Sequence, residues 1–142
     1  MCHDQVHTPQ LLGGLVGRNV IAVAAGAGHS LAVSSDGLLF GWGVAAKGQC
    51  GIAGAEQLHH PTFVPNPQIN ITAVAAGMGH TLCLTDQGTL WSCGWNNCGQ
   101  LGLGSTSDAM KLSAVSMPGA VTHCSCGAGH SVTVVVCVCG AF

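Results

Sequence analysis

Val74-Ala75-Ala76-Gly77-Met78-Gly79-His80-Thr81-Leu82-Cys83-Leu84 is a stretch that the chain writes three times. The earlier copy is Val23-Ala24-Ala25-Gly26-Ala27-Gly28-His29-Ser30-Leu31-Ala32-Val33. The later one is Cys124-Ser125-Cys126-Gly127-Ala128-Gly129-His130-Ser131-Val132-Thr133-Val134. Their histidines, at 29, 80 and 130, lie 51 and then 50 residues apart. A fixed period of that size marks a repeat architecture, in which each copy is one supersecondary unit.

Working outward, each copy has the same grammar. Val20-Ile21-Ala22-Val23 and Ile69 to Val74 read as short β-branched strands. Apolar Leu31 and Val33 alternate with Ser30 and Ala32, the period-2 pattern of a strand, and Thr81 to Thr85 repeats it. Ser35-Asp36-Gly37 and Asp86-Gln87-Gly88 are hairpin turns, with Gly37 and Gly88 at the left-handed position. Leu38 to Trp42 and Thr89 to Cys93 are returning strands. Gly43 to Gly54 reads as a glycine-rich loop, and His59 to Pro67 and Ser105 to Pro118 as connections. No segment has sustained helical periodicity. The expected fold is all-β: an incomplete β-propeller with about two full four-stranded blades and partial blades at both ends. Residues 1–19 read as the tail of a preceding repeat, 20–68 as repeat 1, 69–118 as repeat 2, and 119–142 as the start of a truncated, irregular repeat 3. The turn glycine of that repeat would fall at 138, where Val138 stands. A β-branched residue is a steric misfit there.

Composition excludes several functions. Three Lys and Arg (Arg18, Lys47, Lys111) stand against five Asp and Glu, so direct nucleic-acid binding is not expected. No apolar run approaches the roughly 20 residues of a spanning helix, and the N-terminus has no signal-peptide pattern. A cytoplasmic or nuclear location with no membrane contact is the expectation. Nine cysteines, an odd number, read as reduced thiols.

The motifs resemble the repeat of the regulator of chromosome condensation family. The likeness rests on Val74-Ala75-Ala76-Gly77, His80-Thr81-Leu82, Gly88, Gly94 and Gly99-Gln100-Leu101-Gly102-Leu103-Gly104. The first unit matches through Gly26, His29, Gly37 and Gly41-Trp42-Gly43, and Trp91 takes the place of Phe40. Gly127 and His130 carry the motif into the third copy. The resemblance implies a propeller, in this family usually of seven blades. Even a small propeller needs about four blades, which the 142 residues do not provide. A truncated gene product without independent function, a ring completed by other chains, and self-association through unpaired blade faces are the readings this leaves.

The histidines read as structural, because a reactive constellation is needed once and a blade contact in every blade. The expected role is a hydrogen-bonded tie from the start of each strand to a neighbouring backbone. Cys124-x-Cys126 and Cys137-x-Cys139 have one intervening residue, whereas structural zinc sites use two to four. In register Cys124 replaces Val74 and Cys126 replaces Ala76, so both read as core substitutes. No catalytic residue, metal or cofactor is expected. The residues preceding the histidines also lack the G-W-R-H pattern by which one plant member of the family senses ultraviolet light. Function is therefore sought in what differs between units: a non-catalytic protein-interaction module, with Trp95, Asp36, Asp86 and Asp108 as candidate partner contacts. The resemblance also implies a second reading, nucleotide exchange on, or regulation of, a small GTPase.

Overall fold

The computed structural model describes residues 8–66 and 68–136. Ten strands follow one another: β1 (Val20–Ala25), β2 (His29–Ser34), β3 (Leu39–Val44), β4 (Gln57–Phe63), β5 (Ile71–Ala76), β6 (His80–Thr85), β7 (Leu90–Gly94), β8 (Ala109–Val115), β9 (Ala120–Cys126) and β10 (Ser131–Val136). They form two four-stranded antiparallel sheets, β1-β2-β3-β4 and β5-β6-β7-β8, and a two-stranded sheet of β9 and β10. Each sheet is a blade, or the start of one. The first strands β1, β5 and β9 stand beside one another, so the blades fan out from that side. A single 3-10 turn, Gly13–Leu15, precedes β1 and packs against β4.

Two segments read as connections are partly strands. β4 occupies much of His59 to Pro67, and β8 lies within Ser105 to Pro118. These fourth strands are the outer edges of their sheets and, apart from Leu112 of β8, are exposed or only half-buried. An edge with little to bury has no reason to alternate, so the pattern that reveals inner strands is missing there. Pro61 is tolerated because β4 is an edge strand. The expected failure of the third hairpin at Val138 lies outside the described residues, as does the Cys137-x-Cys139 pair.

The core lies between blades. The middle strands are buried on both faces: Leu31, Ala32, Leu82 and Cys83 are all essentially inaccessible. Leu31, Val33 and Leu39 of the first blade meet Cys83, Cys93 and Leu112 of the second. Leu82, Leu84 and Leu90 of the second meet Val121 and the half-buried Cys124 and Cys126 of the third. Burial raises the thiol pKa of Cys50 to about 11 and of Cys126 to about 12, and pushes Cys83, Cys93 and Cys124 up as well. These cysteines behave as small apolar side chains rather than nucleophiles.

The turns tie blade to blade. Gly37 and Gly88 have φ of 77° and 71°, the left-handed conformation in which a side chain is strained. Each turn presents its glycine carbonyl to the next blade: the Ile71 amide donates to Gly37 O (3.2 Å) and the Val121 amide to Gly88 O (2.8 Å).

Candidate functional site

The repeated histidines sit at the opposite end of the strands from these turns. On a β-strand, neighbouring side chains point to opposite faces. In the pair His80-Thr81 the imidazole therefore points forward to the next blade and the hydroxyl back to the previous one. His29 Nε2 lies 2.9 Å from Thr81 Oγ1, and His80 Nε2 lies 3.1 Å from Ser131 Oγ. Each hydroxyl donates its proton to a carbonyl of the preceding blade: Thr81 to Gln49 O and Ser131 to Gln100 O, both at 2.7 Å. A hydroxyl has one proton, so it accepts the hydrogen bond from the imidazole, which must carry its proton on Nε2. The tie is thus a three-part relay, running from a histidine to the hydroxyl of the next blade and back to the loop of the first. The expected contact to a neighbouring backbone is made through that hydroxyl, not directly.

The relay accounts for the glycine before each histidine. Gly26, Gly77 and Gly127 do not have positive φ, so their role is room rather than turn conformation. A Cβ on Gly26 would stand 2.5 Å from His29 Cε1, and one on Gly77 2.5 Å from His80 Nδ1. The imidazole lies directly on the glycine. Gly43 and Gly94, after Trp42 and Cys93, have φ of 96° and 110° and bring β3 and β7 close to the histidine backbone, where a Cβ would meet the Cα of His29 or His80.

Burial holds the rings neutral. Burial, with a smaller contribution from the neighbouring His80 charge, lowers the His29 pKa to about 4. His80 is lowered by burial, which outweighs the raising effect of its hydrogen bond with the His130 backbone. The Nδ1 atoms of His29 and His80 are buried without partners, as fits an acceptor lone pair packed on glycine. A neutral, buried ring that already donates its proton is poorly placed for acid–base chemistry on a substrate.

The glutamine loop closes the relay. Gln49 Oε1 accepts from the Lys47 amide (2.8 Å) and Gln100 Oε1 from the Cys98 amide (2.9 Å), so each glutamine braces the loop whose carbonyl the hydroxyl reaches. Asn96, passed over in the sequence, is fully buried and staples the second loop. Its Nδ2 donates to Ser105 O and Ser107 O, both at 2.9 Å, and its Oδ1 accepts from the Leu101 amide at 3.0 Å. The signal was its register: 51 residues earlier the first blade has Ala45, an apolar core residue.

The candidate partner contacts are not brought together. Antiparallel order places the β1–β2 and β3–β4 connections on one face and the β2–β3 turns on the other. Asp36 and Asp86 are on the turn face, whereas Trp95 and Asp108 are on the loop face. Each acid already has a role. Asp36 accepts from Ser34 Oγ and pairs with Arg18 at 3.3 Å, and the Ser34 hydrogen bond lowers its pKa. Asp86 accepts from Asn70 Nδ2 at 2.9 Å. Asp108 accepts from the Asn96 amide at 2.9 Å and pairs with Lys47 of the first blade at 3.4 Å. Trp95 is half-buried; its amide donates to Gly79 O (2.7 Å), as that of Val44 does to Gly28 O. Trp42 and Trp91, at strand positions, are half-buried too, and Trp91 packs on the core between the first two blades.

The relay recurs at a step of 50 to 51 residues with its loop partners in constant order, and the sequence that carries it matches a known repeat. Two sequence profiles described as the regulator of chromosome condensation (RCC1) repeat match, one over residues 20–51 and 71–100, the other over 36–84 and 87–134. The chain belongs to the RCC1 repeat family. It is 36% identical over 128 residues to human protein RCC2, covering 87% of this chain and 24% of that protein. It is 34% identical over 141 residues to a Caenorhabditis elegans homologue of the X-linked retinitis pigmentosa GTPase regulator, covering 94% and 10%. Yeast RCC1 (Prp20), solved bound to Kap60, superposes with a TM-score of 0.74 at 26% identity over 83% of this chain and 30% of that one. Prp20p from Saccharomyces cerevisiae superposes with a TM-score of 0.78 at 24% identity. The chain thus spans under a third of these relatives' lengths, and the described blades form an incomplete propeller.

Proposed function

We propose that this RCC1-repeat segment is a non-catalytic protein-interaction module whose docking surface is the loop face. One observation carries the reading. The candidate residues singled out by the sequence are largely committed to the fold: His29 and His80 to the relay, the three aspartates to loop and turn ties, and the core thiols to burial. What the relay leaves free is a rigid face on which the units differ. Val44 and Met78 are 41% and 51% exposed there, and the half-buried Trp95 stands where the first blade has Val44. Exposed apolar and aromatic side chains on a rigid frame are typical protein-binding anchors. Arg18 and Lys47 are already paired with Asp36 and Asp108, which leaves little positive charge for a phosphate backbone. Among the described residues no helix is long and apolar enough to cross a membrane. A nuclear or cytoplasmic location is part of the proposal.

A relative described as a GTPase regulator supports a second reading, action on a small GTPase. Two measurements separate the readings. Trp95→Ala and Met78→Ala should each weaken binding of a protein partner about tenfold without moving the unfolding midpoint. Accelerated nucleotide release from a small GTPase at catalytic amounts of the chain would overturn the non-catalytic reading.

A further inference from the structure

We infer that the Met78 thioether is a reversible oxidation site that switches the loop-face docking surface; the switching half of the inference rests on the docking reading above. Register selects this residue. Met78 is the tip of the β5–β6 connection, and the β1–β2 and β9–β10 connections carry Ala27 and Ala128 at the same position. The fold therefore asks only for a small side chain at a tip. Met78 places a long one there, which joins neither core cluster and is 51% exposed. Its blade stands between the first blade and the β9–β10 sheet. Its backbone is fixed: the Met78 amide donates to Ala128 O at 3.1 Å, the Gly77 amide to His80 O at 2.9 Å, and the Trp95 amide to Gly79 O at 2.7 Å. Gly77 and Gly79 have no side chains to shield the sulfur, and the open cleft between the three tips, about 330 Å³, has Met78 on its wall.

The other sulfur atoms among the described residues are less available or lie elsewhere. Met110 is 37% exposed, and Met117 is half-buried against the core of the second interface. Cys50, Cys83 and Cys93 are inaccessible. Cys98 is an exposed thiol on the separate 95–108 loop. The oxidant is hydrogen peroxide. A sulfur lone pair attacks one peroxide oxygen, the S–O bond forms as the O–O bond breaks, and the other oxygen leaves with both protons as water. Sulfur loses two electrons and the peroxide gains them. The product is polar and chiral, and it returns to the thioether through the two sulfoxide reductases, one for each epimer. An apolar anchor thus becomes a strong hydrogen-bond acceptor, which is costly to bury against an apolar partner surface.

The test uses the 142-residue chain carrying Cys98→Ser, so that thiol oxidation does not obscure the result. After hydrogen peroxide treatment, peptide mass spectrometry should show Met78 gaining one oxygen about fivefold faster than Met117, and ahead of Met110. Retention on a phenyl column should shorten while the unfolding midpoint stays in place, and sulfoxide reductases A and B together should restore the retention. Met78→Leu should abolish the change in retention. A Met78 that reacts no faster than Met117 would overturn the site. Unchanged retention, or an unfolding midpoint that falls on oxidation of the parent chain but not of Met78→Leu, would overturn the switch. Failure of the docking reading is separate: it shows as Met78→Ala binding a protein partner as tightly as the parent while Met78 still oxidises selectively and reversibly.

Discussion

Replacing Thr81 by valine removes one hydroxyl and almost no volume, so it isolates the relay. In the native interface that hydroxyl satisfies two groups, His29 Nε2–H at 2.9 Å and Gln49 O at 2.7 Å. Both residues are buried, with accessibilities of 2% and 5%. Each stranded partner costs about 1–3 kcal/mol when water cannot replace the lost hydrogen bond. The Cys93 thiol, 3.8 Å from Gln49 O, is a weak donor and only a partial substitute. The expected loss is therefore roughly 2–4 kcal/mol, a large part of the 5–15 kcal/mol that stabilises a typical domain. Urea unfolding followed by tryptophan fluorescence reads it directly. Thr81→Ser should stay close to wild type because it keeps the hydroxyl. Ser30→Ala in dilute solution is the internal control, since no histidine reaches Ser30 among the described residues, and it should change stability by less than about 0.5 kcal/mol. If Thr81→Val falls within that same margin, the relay does not hold the blades together.

Three further outcomes follow from the same geometry. Gly77→Ala drives a Cβ into the His80 ring and the Gly127 carbonyl and should destabilise by about 1–3 kcal/mol in the same urea assay. Asn96→Ala strands two carbonyls and one amide of the 95–108 loop; stability should fall by about 2–4 kcal/mol, and limited proteolysis should cut within that loop first. Acid should unfold the protein through its histidines. The folded His29 pKa of about 4 lies below the unfolded 6.5, so its contribution is complete above pH 6.5 and is lost as pH falls from 6.5 toward 4. The loss is up to about 3 kcal/mol, His80 acts in the same direction, and thermal melts across this window should show the fall.

The inner strands of each blade were legible because the middle ones bury both faces and are closed by glycine turns at constant spacing. Leu31 with Val33 and Leu82 with Leu84 keep strict alternation, and Gly37 and Gly88 mark the reversals. The fourth strands were not legible, because β4 and β8 are solvent-facing edges whose sequences, with His59-His60-Pro61 and Lys111, owe little to a core. The histidines were recognisable as structural from recurrence alone. Their partners were not, because the relay joins residues 52 and 32 positions apart in sequence. The adjacent H-[ST] pair carries the information, but only once the strand's two faces are known to meet different blades. The role of Gly26 and Gly77 was hidden for a similar reason: room for a ring is invisible until the ring is placed. The aspartates looked free in the sequence because their partners, Arg18, Asn70 and Lys47, come from other turns and loops.

The most direct test of the relay is the tautomer and titration of His29, read by 15N-edited NMR of the imidazole. The geometry requires the neutral ring with its proton on Nε2, hydrogen-bonded to Thr81, and titrating near pH 4 rather than 6.5. A His29 ring protonated on Nδ1, or one that titrates like a free histidine, would contradict it.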